Sequence, residues 1–102
     1  MKKLILLFTL APCIAFGQNT AIPDSNFEQA LINLGYDSGT PDGFVPTVNI
    51  SSVKDINVNG NNISVLTGIE DFAALTTLHC SNNQLTSLDV SQNIALTTLY
   101  CY

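Results

Sequence analysis

At 102 residues, with 46% hydrophobic and 11% charged side chains, the chain can hold one domain at most. Its formal net charge is −5: eight acidic side chains face three basic ones, Lys2, Lys3 and Lys54, and arginine is absent. Nucleic acid and anionic membrane surfaces are held by clusters of Lys and Arg, so neither is expected as a partner.

Residues 1–17 have the make-up of a secretory signal. Lys2 and Lys3 precede the apolar run Leu4 to Leu10, and small residues lead to Ala15-Phe16-Gly17. A membrane span needs roughly 20 apolar residues, and Pro12 interrupts this run early. A lipoprotein signal would use Cys13, but Pro12 is a poor residue at its cleavage point. The expectation is export with cleavage before Gln18, leaving a mature chain of 85 residues without a membrane span. Lys54 is then its one basic side chain, and the formal charge becomes −7.

Residues 18–52 read as a unit distinct from the C-terminal half of the chain. Gln18 to Pro23 is a short polar lead. DSNFEQALINLG predicts an amphipathic helix over about 25–34, with Phe27, Ala30, Leu31 and Leu34 on one face. Ser25 and Glu28 form a capping-box pattern, and Gly35 supplies a left-handed stop. Tyr36 to Val48 is a turn-rich connector broken by Gly39, Pro41, Gly43 and Pro46. Asp37 and Asp42 lack the spacing of an EF-hand loop and are read as hydrogen-bonding local backbone; no metal is assigned to them.

A repeat begins at Val53. LTTLHC returns as LTTLYC, so that Leu75, Thr76, Leu78 and Cys80 recur 21 residues on at Leu96, Thr97, Leu99 and Cys101. Looking back 22 residues, Val53, Ile56, Val58, Asn61, Ile63 and Leu66 precede Leu75, Leu78, Cys80, Asn83, Leu85 and Leu88. The units are 53–74, 75–95 and a partial 96–102. Each has an apolar edge it cannot bury alone, which indicates an α/β solenoid of stacked parallel strands.

The phrase apolar-x-x-apolar-x-apolar-x-x-Asn-x-apolar-x-x-apolar is that of the leucine-rich repeat. With Cys80 and Cys101 in the strand and NNQLTSLDVSQN from Asn82 to Asn93, the chain resembles secreted bacterial internalin-like proteins, in particular the subgroup with 21-residue, cysteine-containing units. The first unit departs from this, with Val58 in place of cysteine and LTGIEDF in place of LDVSQN. The resemblance implies a leucine-rich repeat solenoid closed by an N-terminal helical cap, and work in adhesion and protein recognition. A greasy helix ahead of the stack would shield the first strand, whose backbone and apolar side chains would otherwise face water. Two full units and a start fall short of the three or more that such stacks need, which reads as the N-terminal fragment of a longer protein.

Strand alternation assigns roles within the units. Leu78 and Cys80 point inward, so Thr77, His79 and Ser81 point outward. Asp55, Asn57 and Asn59 do so in the unit before, and Thr98, Tyr100 and Tyr102 in the unit after. Asn57, Asn59, Thr77, His79, Ser81, Thr98 and Tyr100 are therefore the candidate ligand-binding residues, with Asn57, His79 and Tyr100 in one row. Asn61 and Asn83 are expected to satisfy loop backbone. Cys80 and Cys101 are expected as a buried thiol ladder rather than a disulfide, because in-register neighbours point the same way. Two thiolates without further ligands do not make a zinc site.

Catalysis finds little support: His79 and Cys80 take opposite faces, and no acid on that strand orients His79 beside Ser81. No cofactor is assigned. The leading function is recognition of a protein or glycan outside the cell through the outward strand face. The alternative is a structural spacer that presents another domain, which could be an enzyme lying beyond these residues.

Overall fold

The structure is a computed structural model that describes residues 18–102; the expected signal at 1–17 lies outside the described residues. Its organising feature is a parallel sheet with one short strand from each unit: β3 (Asp55–Asn57), β4 (Thr77–His79) and β5 (Thr98–Tyr100), in that order. Ile56 pairs with Leu78 and Leu78 with Leu99, offsets that are the 22- and 21-residue spacings of the sequence. Repeat length here sets strand register. The ladder continues beyond the strands, with Val58 N–H donating to the His79 carbonyl and Cys80 N–H to that of Tyr100, both at 2.8 Å. Gly60 and Asn82 occupy equivalent places and both turn the chain through the left-handed region, at φ 67° and 58°. Glycine takes that conformation freely and asparagine more readily than other side chains.

Behind the sheet, Val53, Ile56, Val58, Ile63, Leu66 and Phe72 of the first unit and Leu75, Leu78 and Cys80 of the second are buried. Burial then falls away along the stack. Ile56 and Leu78, at 1% and 0% exposure, have a neighbouring layer on both sides, whereas Leu99 is 39% exposed.

The N-terminal residues hold more structure than their sequence indicates. The polar lead forms β1 (Asn19–Ala21), which pairs antiparallel with β2 (Phe44–Pro46) from the connector; a 3₁₀ turn, Thr47–Asn49, follows directly. Between them, α1 (Ser25–Asn33) buries Phe27, Ala30 and Leu31. Leu34, expected on the same face, is 45% exposed because the helix ends there. Gly35, at φ 92°, makes the reversal, with Gly35 N–H donating to the Ile32 carbonyl and Tyr36 N–H to that of Leu31. This is the paired closure of a left-handed helix stop.

The start of α1 corrects the capping-box reading. Asp24, not Ser25, is the N-cap: its Oδ1 accepts from the N–H groups of Asn26 and Phe27 at 2.9 and 3.2 Å. Glu28 turns away from the helix start into the interior, where it is fully buried. Its two carboxylate oxygens accept from the N–H groups of Asp42 and Gly43, at 3.1 and 2.7 Å, and so fix the connector ahead of β2.

Stacking and hydrogen bonds join this N-terminal part to the first unit, among them Asn26 Nδ2 donating to the Asn62 carbonyl at 3.0 Å. The Phe27 ring stacks on Phe72 at a centroid distance of 6.3 Å. Asp24 Oδ2 accepts from the N–H groups of Ser64 and Val65, at 2.8 and 3.0 Å. Thr20 Oγ1 donates to Asp71 Oδ2 at 2.7 Å. Gly68 completes the fit at φ 108°: a Cβ there would meet the Ile22 side chain and lie 2.7 Å from the Ala21 carbonyl oxygen. The LTGIEDF departure of the first unit thus has a physical cause. Gly68 admits β1, Asp71 receives Thr20, and Phe72 receives Phe27.

Candidate functional site

The outward face of β3–β4–β5 is built by alternation about buried Ile56 and Leu78. Register sets Asn57, His79 and Tyr100 in one row, and Asp55, Thr77 and Thr98 in the next. The imidazole of His79 stacks on the Tyr100 ring at 4.8 Å and an interplanar angle of 17°. Its Nε2 lies 3.5 Å from Asp55 Oδ1. The acid beside His79 therefore comes from the neighbouring strand, where a search along His79's own strand could not find it. Tyr100 is 40% exposed, and the His79 and Asp55 side chains are 27% and 66% exposed. This half-wet stack of two aromatic rings, with a carboxylate at one edge, is the most distinctive chemistry of the face.

One of the expected ligand-face residues is used otherwise, and a second is partly engaged. Ser81 is buried: its Oγ accepts from Tyr102 N–H at 3.1 Å, and its N–H donates to Asn59 Oδ1 at 2.7 Å. Alternation fails here because β4 ends at His79 and the chain is already turning. Asn59 remains exposed, with its Oδ1 engaged by that same bond, which stitches two units. Asn57 remains exposed, with Oδ1 accepting from Asn59 N–H at 3.0 Å.

Asn83 does what its place in the repeat requires. Its Oδ1 accepts from Asn61 N–H and Ile63 N–H, at 2.9 and 3.0 Å, and its Nδ2 donates to the Val58 and Cys80 carbonyls, at 2.9 and 3.1 Å. One amide thus satisfies backbone on two successive turns, where the strand ladder has ended. Asn61 only closes its own loop, donating to the Asn59 carbonyl at 2.9 Å. Sequence reasoning overlooked Asn93, which is buried and donates to the Ile69 and Phe72 carbonyls of the unit before, at 2.8 and 3.3 Å. Its counterpart in the first unit is Asp71, so repetition gave no signal for it.

Cys80 and Cys101 are free thiols at equivalent places on adjacent strands. Cys80 is buried, and burial first, with Cys101 beside it second, pushes its thiol up from the ordinary value. Cys101 is exposed, against the expectation of a buried pair, because no layer packs on its far side among the described residues.

A second cluster lies beneath α1, where one carboxylate oxygen each of Glu28, Asp37 and Asp42 fall within 4.8 Å of one another. Asp37 and Asp42 do bond local backbone, their Oδ1 atoms accepting from Ser38 N–H and Phe44 N–H at 2.9 and 3.0 Å. Burial raises the Glu28 carboxyl above its ordinary range; the two amides it accepts from pull it down, and the neighbouring carboxyls of Asp37 and Asp42 push it up again. Glu28 was legible only as a helix-start residue, because nothing in the local spacing places position 28 beside 37 and 42.

Two solved structures from Listeria monocytogenes resemble this chain. The functional domain of InlJ, described as including a cysteine ladder, is 28% identical over 79% of the chain, with a TM-score of 0.64. Internalin C2 of strain 4b F2365 is 19% identical over 81% of the chain, with a TM-score of 0.67. The fold is an internalin-like leucine-rich repeat. The chain spans 18% of the InlJ structure and 38% of that of internalin C2. No family model and no curated protein matches the sequence.

Proposed function

We propose that this chain is part of an exported leucine-rich repeat solenoid that binds a protein ligand through its outward strand face. In this reading residues 18–52 are the helical cap, and the second and third units belong to the 21-residue, cysteine-containing subgroup. The site recognises and does not catalyse; it needs no cofactor or metal, and its setting is outside the cell. One observation carries the binding assignment: His79, Tyr100 and Asp55 converge from three strands into a half-exposed stack that the core does not require. Aromatic rings on rigid backbone give large contact area at little entropic cost, which favours recognition of a folded surface. Thr77 and Thr98 flank the stack and supply hydroxyls in the same register.

The test replaces His79 and Tyr100 together by alanine and measures attachment of the protein to cells or matrix, with the thermal melt as control. Loss of attachment with an unchanged melt is the expected result. Attachment that persists in a folded variant would leave the strand face as the wall of a spacer, and competition by free sugars would make the ligand a glycan.

A further inference from the structure

A cleft of about 330 Å³ opens on surface formed by residues 65–70 and 87–92, none of which belongs to the strand face. Its origin is a mismatch in length. From Leu66 to Leu75 the first unit takes nine steps, and from Leu88 to Leu96 the second takes eight. The first unit forms the 3₁₀ turn Ile69–Asp71 in this stretch and the second forms no helical turn, so the two loops do not run as parallel rails. The cleft lies open between the loops of the first two units.

Its lining divides by chemistry. Val65 and half-buried Leu88 give an apolar wall backed by Leu66 and Ile69, which are 4% and 2% exposed against 42% for Val65. Glu70 and Asp89 stand in the lining from opposite units. Each spends one oxygen on its own loop: Glu70 Oε1 accepts from Gly68 N–H at 2.9 Å, and Asp89 Oδ1 accepts from Ser91 N–H and Oγ–H at 2.9 and 2.6 Å. The second oxygen of each accepts no protein hydrogen bond among the described residues. Those Ser91 bonds, side chain first and then backbone, hold the Asp89 carboxyl below its ordinary range. Lys54 is the one basic side chain among the described residues, and it does not line the cleft.

We infer that this cleft takes a basic side chain, lysine or arginine, presented by a protein ligand. The methylene stem lies along Val65 and Leu88 while the charged head meets Glu70 and Asp89. Such side chains bury their stems on apolar surface and keep the head in a polar rim. This is a second surface, separate from the strand face, and either can fail without the other.

The test titrates the ¹⁵N-labelled protein with Nα-acetyl-arginine amide and Nα-acetyl-lysine amide, using the norleucine amide as the uncharged control. Saturable shifts of the Val65, Leu66, Ile69 and Leu88 amides with the basic probes alone, and still Thr77 and His79 amides, are expected. E70Q with D89N keeps an acceptor for Gly68 and for Ser91 while removing both charges, and it should weaken the response about fivefold, as two partly exposed ion pairs would. Three results would each overturn the inference: an equal response to norleucine amide, undiminished binding in E70Q/D89N, or no saturable shift up to tens of millimolar probe.

Discussion

Asp24 holds two parts of the chain with one carboxylate. Its Oδ1 caps α1 through Asn26 and Phe27, and its Oδ2 takes the amides of Ser64 and Val65, some 40 residues away. Burial alone would raise this carboxyl, but the four amide donors outweigh it and hold it below its ordinary value of 3.8. In Asp24→Asn the cap survives, since asparagine caps as well as aspartate, yet an amide NH₂ replaces one oxygen and the Ser64 and Val65 pair is lost. Two bonds to a partly exposed charged acceptor put the cost at about 2 kcal/mol. Asp24→Ala also loses the cap, about 1 kcal/mol more, for a total near 3 kcal/mol. Because the folded value is depressed, the stabilisation is complete above the ordinary carboxyl range and is lost as pH falls through the folded value. The gap between wild type and Asp24→Asn, read from urea melts, should therefore be full at pH 7 and shrink below about pH 4. Amide exchange at Ser64 and Val65 should quicken in both variants. An Asp24→Asn gap that is constant with pH, or unchanged protection of those two amides, would refute the clamp.

Asn83→Ala removes every bond of the amide that serves two turns and should cost about 2–3 kcal/mol in a urea melt; a loss below about 0.5 kcal/mol would mean that water replaces it at no penalty. Gly68→Ala combines a left-handed residue with a Cβ directed at β1, so a loss of about 2–4 kcal/mol is expected, with β1–β2 amides exchanging faster than those of β4. Asp37→Asn relieves like charge beside buried Glu28 and should stabilise by about 0.5–1 kcal/mol at pH 7. The raised Glu28 value means that its charged form costs stability above that value and that the cost disappears as pH falls through it, so the gain should be smaller at pH 4. Destabilisation by Asp37→Asn at pH 7 would show that the three carboxyls do not repel.

How much could be read in advance depends on where the information sits. The repeat was legible because Leu75, Leu78 and Cys80 recur at Leu96, Leu99 and Cys101, and register in a parallel stack is the same quantity as spacing in sequence. Asn83 was legible for the same reason. The β1–β2 pair was not, because NTA and FVP carry no alternating pattern and Pro46 argues against a strand interior. The long reach of Asp24 and the inward turn of Glu28 depend on tertiary neighbours 40 and 15 residues away, which no local motif encodes. Ser81 misled because alternation holds only while the strand lasts, and β4 stops two residues short of it. His79 and Tyr100 were placed side by side by the repeat; Asp55 as their partner required the diagonal reach that only coordinates give.

Fold and proposed binding face alike rest on three turns lying side by side and running the same way. Scalar couplings across hydrogen bonds report this directly, from the amide nitrogen of one strand to the carbonyl carbon of the next. Parallel stacking requires a coupling from Val58 N to the His79 carbonyl and from Cys80 N to that of Tyr100, the two 2.8 Å bonds of the ladder. Couplings that pair these amides with other carbonyls, or an antiparallel set joining the strands around Leu78 and Leu99, would contradict the stack and with it the binding face.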